Sequence, residues 1–165
     1  IAPLPTSTFP DISEGQKAWI REEFLATEQV RLFNFLSKDK GRDFAFSWFK
    51  DGAGYFLATR AWVPFISAPK AFIVYACWEQ AILKGNSVTL EKMEDDEAIV
   101  RMGSIYLELY ARATHLRQEI SLEDYRQILE TRWKDRASNA GWDLRISYKQ
   151  GECLFHFDRK SQKEA

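Results

Sequence analysis

Two cysteines, Cys77 and Cys153, and two histidines, His115 and His156, are the side chains of this 165-residue chain best suited to nucleophilic or metal chemistry. The thiolate is the attacking form of cysteine, and it needs a histidine or another cation nearby to exist at neutral pH. Cys153 opens a strand just after Gln150-Gly151, an accessible place for a nucleophile. His156 lies three residues on along the same strand, so it points to the opposite face. The base must then come from elsewhere, and His115, on a helical segment, is the candidate. Cys153 and His115 are therefore the expected catalytic residues of a cysteine-dependent hydrolase. Cys77, inside Phe72-Ile-Val-Tyr-Ala-Cys-Trp78, reads as a small buried apolar side chain.

Metal ligation finds little to build on. Cys153-x-x-His156 spans both faces of a strand, and Glu119 stands where the helix bearing His115 gives way to Ile120-Ser121. A lone axial histidine for haem has no Cys-x-x-Cys-His beside it. The run Glu94-Asp-Asp-Glu97 lacks the spacing of a calcium loop and reads as a solvated turn. No phosphate-binding glycine loop, nucleophile elbow or metalloprotease helix is present. Neither a metal nor a cofactor is expected.

The stronger chemical signal is aromatic. Of 24 Phe, Trp and Tyr residues, 11 fall between Phe44 and Trp78, with only Lys50, Asp51, Arg60 and Lys70 charged among them. Helices apolar around most of their circumference must be covered on most sides. Core packing satisfies that demand, and so does an apolar pocket for a small molecule, or a homodimer face. In the pocket reading the ligand-binding residues are Trp48, Phe49, Tyr55, Phe56, Arg60, Trp62, Tyr75 and Trp78. Arg60 and Lys70 would meet an anion, and Asp51 would serve as a base. Gly52-Ala-Gly54 would let a second backbone approach, or leave a gap beside the rings.

Positioning these groups requires helices first and strands later. Residues 1–12, with Pro3, Pro5 and Pro10, predict an extended arm. Ser13 and Gln16 have capping-box spacing, and a first helix follows to about Leu36, with Ile20, Phe24, Leu25, Leu32 and Leu36 facing inward. A second helix is expected over Arg42 to Trp62, ending before Val63-Pro64. A third opens at Ser67 and closes at Lys84-Gly85. Ser87–Met93 and Ala98–Met102 alternate around the acidic turn and predict a hairpin. Ser104 and Ser121 cap a fourth and a fifth helix, the latter carrying the stripe Leu122, Tyr125, Leu129, Trp133, Ala137 and Ala140. Trp142–Tyr148 and Cys153–Phe157 form a second hairpin around Gln150-Gly151, and residues 159–165 are expected to fray. The prediction is one α+β domain over 13–158: N-terminal helices, then hairpin, helix, helix and hairpin, with a four-stranded antiparallel sheet packed against helices.

The stretch from Val88 to Phe157 resembles the L-2-amino-thiazoline-4-carboxylic acid hydrolase-like family of small bacterial proteins. The likeness lies in the hairpin Val88 to Met102, the helix after it and the strand Cys153-Leu-Phe-His-Phe157. That family tends to carry a cysteine straight after the first hairpin, a place taken here by Met102-Gly103-Ser104. The resemblance implies a sheet-and-helix domain around a small-molecule cavity, with Cys153 as the plausible counterpart of a family cysteine.

Composition narrows the function classes. With 23 Lys and Arg against 24 Asp and Glu, the chain is no broadly basic nucleic-acid binder. The order of the fourth helix, fifth helix and final hairpin matches a winged helix, but Leu122 to Ala140 carries four positive and four negative side chains. Groove binding draws on phosphate neutralisation, so nucleic acid is not expected as a partner. The longest apolar stretch, Phe44 to Phe65, is interrupted by Lys50, Asp51 and Arg60, so no membrane span is expected. Ile1-Ala-Pro-Leu-Pro-Thr6 lacks the regions of a signal peptide, although a leader removed earlier would leave the same start; a cytoplasmic location is expected. The leading expectation is an α+β domain binding a small apolar or aromatic ligand. A cysteine hydrolase and a winged-helix-like or protein-interaction regulator are the alternatives.

Overall fold

The computed structural model describes residues 10–83 and 86–161. Helices α1 (Glu14–Lys40), α2 (Arg42–Trp48), α3 (Gly52–Trp62) and α4 (Ala68–Ala81) precede the strands β1 (Val88–Met93) and β2 (Glu97–Gly103). Helices α5 (Ile105–Arg112), α6 (Thr114–Glu119) and α7 (Leu122–Asn139) follow, and β3 (Trp142–Lys149) and β4 (Glu152–Arg159) close the chain. The α+β class with one four-stranded antiparallel sheet is as the sequence predicts. Residues 1–9 of the expected arm, the cap at Lys84-Gly85 and the last residues of the expected tail lie outside the described residues.

The two hairpins join through their second strands, giving the order β1-β2-β4-β3. Register then builds one apolar face in three rows: Ala98, Phe157 and Leu144; Val100, Phe155 and Ile146; Met102, Cys153 and Tyr148. Alternation sends the intervening side chains of β2, β3 and β4 outward, and a register shift at Glu91 turns both Glu91 and Lys92 of β1 to the same side. There Arg101 bridges Glu91 and Glu152, and Lys92, Glu97, His156, Asp158 and Arg145 form a charged ladder. The tight turn between β3 and β4 places Gln150 and Gly151 at positive φ, the geometry that two-residue hairpins require. β4 continues through Arg159, where fraying was expected to begin, because its guanidinium donates to the Gly141 carbonyl and covers the Trp142 ring.

Helices cover the inner face and form a second core beside it. Among the described residues, one buried cluster joins the sheet to α4 and the C-terminal half of α7. The other joins α1, α2, α5, α6 and the N-terminal half of α7. Helix α7 therefore belongs to both, Tyr125 and Ile128 in one and Trp133 and Ala137 in the other. Trp142 ties the sheet to α4 by donating its indole N–H to the Pro69 carbonyl at 3.0 Å.

Four expectations of detail are corrected. The single helix over Arg42–Trp62 breaks at Phe49-Lys50-Asp51, so α3 starts afresh at Gly52. The fourth helix breaks at Ala113, whose ψ of 94° leaves the helical region and separates α5 from α6. The inward face of α1 is Ala26, Thr27, Val30, Phe33 and Leu36, whereas Ile20, Phe24 and Leu25 are exposed. This helix is apolar on more than one side, so periodicity alone could not choose which side α2 and α6 would cover. Finally, the aromatic segment is not covered all round: Trp48, Leu57, Trp62 and Phe65 stand in solvent.

The start of α3 is pressed against α7. A Cβ built on Gly52 would sit 2.4 Å from Asn139 Nδ2 and 2.5 Å from the Asp135 carbonyl oxygen, so only glycine permits this approach. Gly54, two residues along and so on the other side of α3, would meet nothing within 4 Å. Gly52→Ala should therefore cost about 1–3 kcal/mol as an overpacked contact, whereas Gly54→Ala should stabilise by roughly 0.5–1 kcal/mol through helix propensity. Urea unfolding of the two variants checks the opposite signs.

Candidate functional site

Among the described residues Arg136 carries the most deeply buried guanidinium, and its charge must be neutralised. Arg136 of α7 is 8% exposed. Its Nε and Nη2 donate to the two carboxylate oxygens of Asp51 at 2.8 and 2.7 Å, a bidentate pair. Its Nη1 reaches Glu79 of α4 at 3.3 Å, and Glu79 also accepts from the Tyr55 hydroxyl at 2.6 Å. The planar cation lies 4.0 Å from the Tyr55 ring centroid and 4.9 Å from that of Trp133. Burial acts to lower the pKa of Arg136, but the bond to Asp51 and the charge of Glu79 outweigh it and leave it raised. Burial and the Glu79 carboxylate push the Tyr55 phenol far above its ordinary range. Asp51, placed by the sequence as a base, is thus committed to this pair. The first amide of α3, Gly52 N–H, donates to Asp135 at 2.8 Å.

Beside this network a cavity of about 240 Å³ opens at the seam between the two cores. Met102, Trp133, Cys153 and Phe155 come from the sheet core, Ala26 and Leu109 from the helical core. Its polar wall is supplied by Gln29, Tyr106, Arg132 and the Arg136–Glu79 pair, with half-buried Glu22 one turn before exposed Leu25. Two of these polar groups are unmatched: Gln29 Oε1 is buried with no hydrogen-bond partner among the described residues, and the buried Tyr106 hydroxyl finds no acceptor there. Buried polar atoms are normally satisfied, so orphans on two residues that line one cavity call for a physical reason. The neighbouring Tyr125 stacks on Tyr106 with centroids 4.0 Å apart and spends its own hydroxyl on the Tyr106 carbonyl oxygen.

The residues expected to bind ligand do not line this cavity. Phe49 is buried in the helical core beneath the Arg132 guanidinium, 5.4 Å from its ring centroid. Tyr55 and Phe56 pack against the sheet core, and Tyr75 meets Tyr55 edge-on at 5.3 Å. Trp48, Trp62 and Trp78 are exposed. Arg60 is exposed over the Phe56 ring, and Lys70 pairs with Asp95 at 2.7 Å. The cavity residues come from seven separate elements, which no local pattern could link. One local signal was present: Arg132 and Arg136 are like charges at i,i+4, an arrangement that costs helix stability unless each meets something.

Cys153 and His115 fall in different places. Cys153 is buried between Met102 and Tyr148 and lines the cavity. Burial and the nearby Glu130 carboxylate push its thiol up to about 12. His115, on α6, faces α1 instead: its Nε2 is 3.0 Å from the Thr27 hydroxyl and its Nδ1 3.5 Å from Glu23. Both cysteines are free. On the outer sheet face, Glu97, His156 and Asp158 bring ligand atoms within 4.8 Å of one another. Lys92 and Arg145 already hold the two carboxylates, and His156 Nε2 is 2.6 Å from Glu97 Oε1, so this is a self-contained ion-pair ladder. Among the described residues no helix is long and apolar enough to cross a membrane. Comparison of the chain with protein-family models, with curated proteins and with solved structures finds no match in any of the three.

Two outcomes follow from these placements. Arg136→Met leaves Asp51 and Glu79 without their cation, and should destabilise by about 3 kcal/mol. That is the low end for buried pairs, because Asp51 keeps 45% of its side chain in solvent; chemical denaturation measures it. Burial also pushes the Cys77 thiol up to about 11, so both thiols stay protonated in the folded protein at pH 8. A thiol reagent should then label neither cysteine at that pH until denaturant is added. Because both values are raised, the stability tied to these thiols is complete below about pH 8.5 and is lost as pH climbs through 11 and 12. Fast labelling of native Cys153 at pH 8 would contradict the buried, partnerless thiol.

Proposed function

We propose that this protein binds a small organic molecule with a mainly apolar body in the cavity between the sheet and helices α1, α5 and α7. The observation that carries the reading is the pair of orphaned buried polar atoms, Gln29 Oε1 and the Tyr106 hydroxyl, in the wall of an otherwise apolar space. An apolar pocket with a few convergent polar groups is the usual form of a small-molecule site. Size narrows the ligand. An apolar cavity of roughly 150 Å³ accommodates benzene, so about 240 Å³ suits a single ring with a short substituent.

The hydrolase alternative has one observation in its favour, that Cys153 lines the same cavity. Its raised thiol and its acidic neighbour oppose the thiolate such chemistry needs. A winged-helix role would need α7 exposed and basic, yet α7 is shared by both cores and buries Arg136.

Ligand-observed NMR with a panel of monosubstituted benzenes tests the binding reading. At least one compound should bind with a dissociation constant below about 1 mM, which corresponds to only about −4 kcal/mol. Ala26→Leu, which extends a buried wall residue into the space, should weaken that binding at least tenfold while leaving the circular dichroism spectrum unchanged. A panel with no binder, or binding indifferent to this substitution, would overturn the assignment.

A further inference from the structure

The cavity has a polarity that its apolar walls conceal. Arg132 and Arg136 sit one turn apart on α7, and both line the space. Their surroundings differ sharply. Arg136 takes the bidentate bond from Asp51 and the contact with Glu79, whereas Arg132 has no ion pair and no hydrogen bond among the described residues. Its guanidinium rests over the Phe49 ring, which offers attraction to a cation but no acceptor. A half-buried cation without an acceptor is costly, and proteins do not ordinarily leave one unmatched.

The second observation is independent of charge. The Tyr106 hydroxyl is cut off from solvent, and it has no acceptor among the described residues. Arg132 and Tyr106 are close enough for each to influence the other's titration. Burial, and next the charge of Arg136, lower the pKa of Arg132, and burial raises that of Tyr106, so both groups sit in one desolvated neighbourhood. Two unmatched donor groups therefore converge on one cavity. Of the carboxylates on its wall, Glu79 is bonded to Arg136 and Tyr55 and Glu22 is half-buried; Asp51 and Glu79 also attract Arg132 through space, but neither accepts a hydrogen bond from it.

We infer that the ligand of this cavity is an organic anion, its negative group seated between the Arg132 guanidinium and the Tyr106 hydroxyl and its apolar body against Trp133, Phe155 and Leu109. The inference rests on the binding reading above and adds the charge of the ligand. A planar guanidinium offers paired N–H donors to an oxyanion, and a neutral phenol can donate a third bond, so a carboxylate would satisfy both orphans at once.

Calorimetric titration with 3-phenylpropanoate and with its neutral amide, 3-phenylpropanamide, separates charge from shape. The acid should bind the wild-type protein at least tenfold more tightly than the amide. Arg132→Met should bring the two within about twofold by weakening the acid alone, and Arg132→Lys should restore part of the preference. Tyr106→Phe, which keeps the ring that stacks on Tyr125, should cost the acid about tenfold, as expected for a lost bond to a charged group. Equal binding of acid and amide to the wild type, or a preference that survives Arg132→Met, would overturn the anion while leaving the cavity reading intact. Binding of neither compound overturns the anion, and the cavity reading falls with it only if the neutral monosubstituted benzenes also fail to bind.

Discussion

Burial of one guanidinium organises the centre of this molecule. Arg136 projects from α7 into the seam between the two cores, and a cation there has to find its counter-charges inside the protein. Asp51 and Glu79 supply them from the start of α3 and from α4, so one side chain fastens three helices together. The break between α2 and α3 lies at this network. Asp51 at the N-cap would ordinarily accept from the second or third amide of its own helix, but its carboxylate turns to Arg136, while the first amide, that of Gly52, donates to Asp135 of α7. Gly52 then has to lack a side chain, because α7 comes within contact of its backbone.

The same arrangement leaves room for the cavity. Helix α7 serves the helical core with its first half and the sheet core with its second, and the two cores do not close completely where they meet. Arg132 and Arg136 enter that seam one turn apart with unequal fates. One is fully paired; the other is left facing the open space with the Tyr106 hydroxyl and the Gln29 amide. An interior built only for stability would have filled such a gap with apolar side chains, because unmatched polar groups weaken a core. Their retention in one cavity is the physical basis for reading it as a site.

The sheet illustrates how register distributes roles between faces. The pairing of β2 with β4 places Ala98, Val100 and Met102 opposite Phe157, Phe155 and Cys153, and all six are buried. Shifting by one residue would have put His156 and Asp158 inside. Instead they lie on the solvent face, where Lys92, Glu97 and Arg145 hold them in a ladder. Cys153 is consequently sealed beneath the sheet, and its distance in the fold from the base expected for it reflects topology: His115 is spent on α1, bonded to Thr27.

Much of the architecture was legible in the residues themselves. The capping box of Ser13 and Gln16, the Ser121 cap, the two hairpins and the Gln150-Gly151 turn are local signals, and each appears as read except that a register shift at Glu91 interrupts the alternation expected of β1. They are legible because caps, turns and period-two alternation are set by neighbours in the chain. The aromatic density from Phe44 to Trp78 was equally visible, but its meaning was not. Which rings pack inward depends on what α7 and the sheet offer them, so Tyr55 and Phe72 entered the core while Trp48 and Trp62 did not. The side on which α1 is buried, the strand order β1-β2-β4-β3 and the cavity itself were likewise decided only by long-range packing. Sequence by itself determined the elements and the class of the fold. Tertiary structure decided which polar groups would be matched and which left waiting, because a guanidinium's partners lie 57 and 85 residues away along the chain and are neighbours only in space.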